Sequence, residues 1–177
     1  MIALMGVAVV LMMQKSMEQN TEATASSSSQ FNTLFQPKPV SKKLHCRTIG
    51  TTKPDPDCTP GTLVRGITKE YICTPGYGQS LQALSDTEKR AVYSAYDIAL
   101  FALDQYQIDR FISLNLGGSN DPANLWPQAG EPKPGYQEKD AVEEELHRRV
   151  CDGEMKLNDA QRIIATDWVE FHKTMTQ

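Results

Sequence analysis

No histidine lies between Cys46 and Leu146, although the chain of 177 residues carries three elsewhere. The central part of the sequence therefore lacks the one side chain whose ordinary pKa sits near neutrality, and imidazole-based proton transfer is excluded there. Positive charge is also in short supply. Eighteen Lys and Arg face 22 Asp and Glu, a net charge of −4, so no global field draws the chain to nucleic acid. The Lys42-Lys43 pair is too small a patch to change that. Long apolar runs are missing as well. The run Ile2 to Met13 covers 12 residues, short of the roughly 20 that a membrane-crossing helix needs. There is no C-x-x-C pair. Cysteine spacings of 11, 14 and 77 intervening residues match no zinc knuckle, and no internal repeat is visible.

What is present is ordinary for a globular protein: 40% hydrophobic and 23% charged residues, enough for one domain with tails. Residues 1–25 read as an export signal or a membrane-anchor segment, which would contact a membrane. The apolar run suits the core of a signal, although no Lys or Arg precedes it and the small-residue site Ala23-Thr24-Ala25 lies well downstream. Residues 26–43, rich in Ser, Thr, Gln and Pro, read as a disordered linker, and residues 44–177 as a single domain. The expected location is exported: secreted, periplasmic or membrane-anchored. An even number of cysteines behind such a segment points to two disulfides. Of the three possible pairings, Cys46–Cys58 is favoured as a local clip and Cys73–Cys151 as a long staple.

Residues 44–82 predict a loop-rich arm with short strands, one near Tyr71-Ile72-Cys73. Ser85 and Glu88 make a capping box that opens a helix over 86–96. Residues 98–105 either extend that helix or form a turn of their own. From Tyr106 to Leu116 the pattern alternates, with Tyr106, Ile108, Arg110, Ile112, Leu114 and Leu116 on one side, which predicts a strand. Gly117-Gly118 begins a turn through Pro122. A short strand at 124–126 should end at Pro127. A helix follows over 137–151 with Gly153 at its end, then a last helix over 158–173 that buries Ala160, Ile163, Ile164, Trp168 and Phe171.

Several short segments follow one another along the chain: Cys58-Thr59-Pro60-Gly61, Tyr71-Ile72-Cys73 with Gly76-Tyr77, Asp109-Arg110, Leu116-Gly117-Gly118, Asn124-Leu125-Trp126-Pro127, Lys139-Asp140, Cys151-Asp152-Gly153, Ala160-Gln161 and Asp167-Trp168. In this order and spacing they resemble an exported bacterial family of HNH-endonuclease-like proteins with a ββα-metal site. The resemblance implies an α+β fold: an HNH-like hairpin plus helix, flanked by further helices and the loop-rich arm. It implies hydrolysis of DNA phosphodiesters with one divalent metal (Mg²⁺, Mn²⁺ or Zn²⁺) that stabilises charge on the phosphate.

Carried over by position, Asp109 is the metal-binding carboxylate of the first strand, Asn124 the residue that orients the general base, and Gly117 and Gly118 the hairpin turn. Asp140 is the helix ligand to the metal, with Glu143 as another option, and Lys139 contacts substrate. The family has histidine as general base where this chain has Arg110. Arginine stays protonated and makes a poor base. It also repels a cation at Asp109: two unit charges about 4 Å apart interact by roughly 4 kcal/mol at an effective dielectric near 20. The expected protein is therefore a degenerate or weakly active nuclease. The alternative is a non-catalytic, disulfide-stapled protein that binds a nucleic acid or protein partner.

Simpler roles stand beside these. Asp109 is otherwise a solvent-facing strand residue, Arg110 a surface, salt-bridged or phosphate-contacting arginine, and Asn124 a turn-capping residue. Trp126 and Trp168 read as core. Glu143 and His147, four apart, form a weak metal pair, with His147 otherwise a packing or surface residue. Arg148 and Arg149 are placed to pair with Glu144 and Glu145.

Overall fold

The buried stripe of the longest helix organises the molecule. In a computed structural model of the chain, which describes residues 35–80 and 83–176, helices α1 (Lys69–Ile72), α2 (Tyr77–Ser80) and α3 (Asp86–Ala95) precede strands β1 (Tyr106–Arg110) and β2 (Leu125–Ala129). Helices α4 (Tyr136–Cys151), α5 (Leu157–Thr166) and α6 (Trp168–Met175) follow. The two strands form an antiparallel sheet in which Asp109 faces Trp126 and Arg110 faces Leu125. The fold is α+β. The expected export segment, and the linker up to residue 34, lie outside the described residues.

Spacing explains α4. Val142, Leu146 and Val150 recur every fourth residue and are fully buried, as a helix with one apolar face requires. They join Ile112, Leu116, Ala160, Ile164 and Trp168 in the main core. A second core gathers Leu84, Val92, Tyr96, Leu125, Trp126 and the Cys46–Cys58 pair. Helix α3 opens on the expected capping box: Glu88 N donates to Ser85 Oγ at 3.3 Å, and Ser85 N donates to Glu88 Oε2 at 2.7 Å.

Both favoured disulfides are present, Cys46–Cys58 and Cys73–Cys151. They point to an oxidising environment of the extracellular kind. Among the described residues, no helix is long and apolar enough to cross a membrane. Residues 35–43, read as part of the linker, have fixed partners. Ser41 N and Lys42 N donate to Asp57 O at 3.0 and 3.1 Å, Lys42 Nζ reaches Asp55 Oδ2 at 2.9 Å, and Phe35 packs on the main core. Composition missed these contacts because they are long-range in sequence.

Several local expectations are corrected. Residues 71–73 do not form a strand: Tyr71 and Ile72 lie in α1 and Cys73 caps it. Residues 100–105 form a 3-10 helix of their own, in line with the second of the two readings open for that segment. The first strand stops at Arg110, and residues 114–116 and 122–124 turn as 3-10 helices. The second strand is Leu125–Ala129, and Pro127 lies inside it opposite Ile108. A two-stranded sheet has only edge strands, where a missing N–H is tolerated.

The last helix is two. Asp167 leaves helical geometry at φ −131° and ψ 20°, and the Thr166 hydroxyl donates to its carboxylate at 2.8 Å. After this break Trp168 is buried, and its Nε1 donates to Thr52 O at 2.9 Å.

Candidate functional site

The loop between the strands is tied by one side chain. Asn124 is fully buried. Its Nδ2 donates to Ile112 O at 2.9 Å and Ser119 O at 2.8 Å, while its Oδ1 accepts from Ile112 N at 2.9 Å and Thr62 N at 3.4 Å. This uses the full donor and acceptor capacity of the amide. Asn124 therefore fixes the loop, and its amide is not engaged with the Arg110 side chain. Arg110 Nε donates instead to Asn120 Oδ1 at 2.8 Å.

Gly117 and Gly118 serve the same loop. Gly117 adopts φ +84°, which glycine accepts without strain. A Cβ at Gly118 would sit 1.8 Å from Ile112 O, so only glycine fits. They do not join the strands as a tight hairpin turn, because the connection runs through all of residues 111–124.

Strand alternation sends Asp109 inward. It is 4% exposed, so it is not a solvent-facing residue, and the expected apolar side of β1 is only half-buried. Asp109 and Trp126 are cross-strand partners, and Trp126 Nε1 donates to Asp109 Oδ1 at 2.9 Å. The same oxygen lies 2.8 Å from Lys139 Nζ.

Lys139 is the residue that sequence reasoning misplaced. It is fully buried, which removes it from the substrate-contacting role. Its ammonium donates to Arg110 O at 2.9 Å and pairs with both Asp109 and Glu143. A signal was available. Lys139 stands three residues before Val142 and seven before Leu146, in register with the apolar stripe of α4, and Glu143 follows it by one turn.

The electrostatics follow from this crowding. Burial pushes the Asp109 carboxyl well above its usual range. The Lys139 ammonium pulls it down, and the Glu143 carboxylate pushes it up. Burial alone would lower the Lys139 pKa, but Asp109 and Glu143 outweigh it and hold the ammonium above its ordinary value. Desolvation lowers the Arg110 pKa, against the pull of the same two carboxylates; a guanidinium remains charged even so.

A polar cleft of about 460 Å³ opens beside this cluster, lined by Asp109, Arg110, Ser113, Asn115, Asp140 and Glu143 among others. Asp140 is exposed at its edge, and its pKa is raised by partial desolvation and by Glu143. Asp109, Asp140, Arg110 and Glu143 thus share one cleft. Among the described residues, no group of three that includes Asp109 brings its ligand atoms within 4.8 Å of one another.

Two other groups do: Cys73, His147 and Cys151, and Cys46, Asp55 and Cys58. In both, the two sulfurs form a disulfide and offer no thiolate to a metal. His147 and Glu143 do not act together. His147 Nε2 is bonded to Ile72 O at 3.0 Å, and Glu143 is bonded to Lys139. Of the expected arginine pairs, Arg149 with Glu145 is present, while Arg148 also turns to Glu145 instead of Glu144 and reaches Asp152 and Glu154. Trp126 and Trp168 are core, as expected.

Against known proteins, the chain matches no family profile, no curated protein and no solved structure.

Proposed function

We propose that this chain is a degenerate HNH-like ββα protein, exported from the cell, whose cleft binds a partner and no longer cleaves DNA. One observation carries the reading. The cation between Asp109, Glu143 and the Arg110 carbonyl is the protein's own Lys139 ammonium. Carboxylate and carbonyl oxygens are the ligand type that a hard divalent ion takes from a protein, with water completing its shell. Here an internal ammonium occupies that position, and Arg110 stands where a proton acceptor belongs. Loss of the metal and loss of the base act in the same direction. The order strand, strand, helix, with Lys139 of α4 bonded to both Asp109 and the backbone of Arg110, supports the ββα reading. Two disulfides support export.

Plasmid nicking tests it. The full chain should leave supercoiled DNA intact with Mg²⁺, Mn²⁺ or Zn²⁺. Metal-dependent nicking that disappears in Asp109→Ala would establish the active-nuclease reading instead. Arg110→His supplies the missing base, yet it should stay inactive while Lys139 holds the cation position. Cleavage by that single variant would show that the ammonium yields to metal.

A further inference from the structure

The Cys73–Cys151 staple has a feature that the Cys46–Cys58 clip lacks. His147 lies one turn before Cys151 on α4, and its Nε2 is 3.5 Å from Cys151 Sγ. The ligand atoms of Cys73, His147 and Cys151 all lie within 4.8 Å of one another, and all three residues are half-buried. Small solutes therefore have access to them. At the clip, Asp55 completes a group of similar size, but all three residues are buried. Its carboxylate already accepts from Lys42 Nζ, Arg47 N and Asp57 N. Most of that carboxylate's acceptor capacity is already taken, and the burial of all three residues leaves no open route for an ion.

We propose that reduction of the staple converts Cys73, Cys151 and His147 into a binding site for a thiolate-preferring divalent ion, with Zn²⁺ the natural occupant. The reductant is a dithiol. Its thiolate attacks one sulfur of the staple and expels the other as a thiolate. Its second thiol then displaces the remaining protein sulfur, giving two protein thiols and one cyclic disulfide. Binding of Zn²⁺ releases the two thiol protons. Two thiolates and one neutral imidazole make a Cys₂His set that leaves a fourth position to water, within the ligand preferences of zinc. His147 exchanges its bond to Ile72 O for the metal and carries its proton on Nδ1.

The scaffold keeps the three ligands together after the S–S bond opens. Ile72, next to Cys73, is 1% exposed, and Leu146 and Val150, next to His147 and Cys151, are fully buried in the same core. The staple is thus a redox-gated metal site, separate from the cleft and independent of how the cleft is read.

Cobalt is the probe. Full-length protein reduced with a phosphine, in the absence of oxygen, should take up Co²⁺ with a thiolate-to-cobalt charge-transfer band and the d–d bands of a tetrahedral site, and Zn²⁺ should displace it. The oxidised protein should show neither. His147→Ala removes a ligand outright and should weaken Co²⁺ binding by at least the ~10–100-fold that loss of a hydrogen-bonding partner of a ligand costs, and Cys73→Ser should abolish the band. The Cys46→Ser/Cys58→Ser variant, reduced in the same way, should keep it. An unchanged affinity in His147→Ala, or a band that vanishes with the clip cysteines, overturns the assignment. If reduction unfolds the chain, Zn²⁺ must restore its helical circular dichroism in the wild type and fail to do so in His147→Ala. Absence of that rescue overturns the proposal equally.

Discussion

Replacing Lys139 by Met is the sharpest perturbation of the cluster. Methionine keeps most of the buried volume and removes the charge. At 2.8 Å and an effective dielectric near 20, the Lys139–Asp109 pair alone interacts by roughly 6 kcal/mol before desolvation is counted. Desolvation of the ammonium offsets several kcal/mol of this, so the net loss is smaller. Removing one partner of a buried pair costs about 3–5 kcal/mol, because the surviving charge is left uncompensated. Lys139→Met should therefore lower the unfolding free energy by about that much in metal-free buffer on the alkaline side of the Asp109 pKa of about 7, where the carboxylate is ionised. Urea denaturation followed by tryptophan fluorescence reads this, since Trp126 donates to Asp109. Two rescues identify charge as the cause. The double variant Lys139→Met/Asp109→Asn should recover part of the loss. Mn²⁺ should also recover stability by occupying the vacated oxygens, by about 2.7 kcal/mol at a hundred times its dissociation constant. A Lys139→Met protein as stable as the parent, or one indifferent to both rescues, refutes the view that this ammonium stands in for a metal.

The remaining predictions concern neighbouring features. Asp109 has a folded pKa raised above its unfolded value, so the native state binds its proton more tightly. The stability it contributes is fully present below about pH 4 and is lost as pH rises towards about 7. Urea midpoints measured across that window should fall less steeply with pH in Asp109→Asn than in the parent. Asn124→Ala strips partners from Ile112 N, Ile112 O and Ser119 O. At about 1–3 kcal/mol for each buried group left unpaired, thermal unfolding should show one of the largest single losses in the molecule. Gly118→Ala forces a methyl into the Ile112 carbonyl and should cost at least about 1–3 kcal/mol, the range for overpacking, whereas Gly66→Ala meets no neighbour within 4 Å and pays only for its positive φ. Losing the staple releases a loop closed over 78 residues, against 12 for the clip. In the chain-entropy account Cys73→Ala/Cys151→Ala should therefore lose about 4.5 kcal/mol, and the clip variant about 3; equal losses would show that strain or denatured-state structure dominates.

Local chemistry was enough for part of this protein. The Ser85–Glu88 box, the four-residue spacing of Val142, Leu146 and Val150, and the cysteine count act over one or two helical turns or through simple pairing rules. They account for α3, α4 and the number of disulfides, whereas the α+β class is what the family resemblance implies and the pairing is one favoured choice among three. Tertiary structure decided the site. Period two places Asp109 and Arg110 on opposite sides of β1, but not which side meets the core. That depended on Trp126 across the sheet and on Lys139 arriving from α4. Likewise a lone Asn before Leu125 reads equally well as a cap or as an orienting group until the carbonyls of Ile112 and Ser119 close around it. A lysine in an apolar stripe looks like an error in the pattern until two carboxylates, one buried and one half-buried, explain it, and those carboxylates come from a strand 30 residues away and from one turn along the same helix.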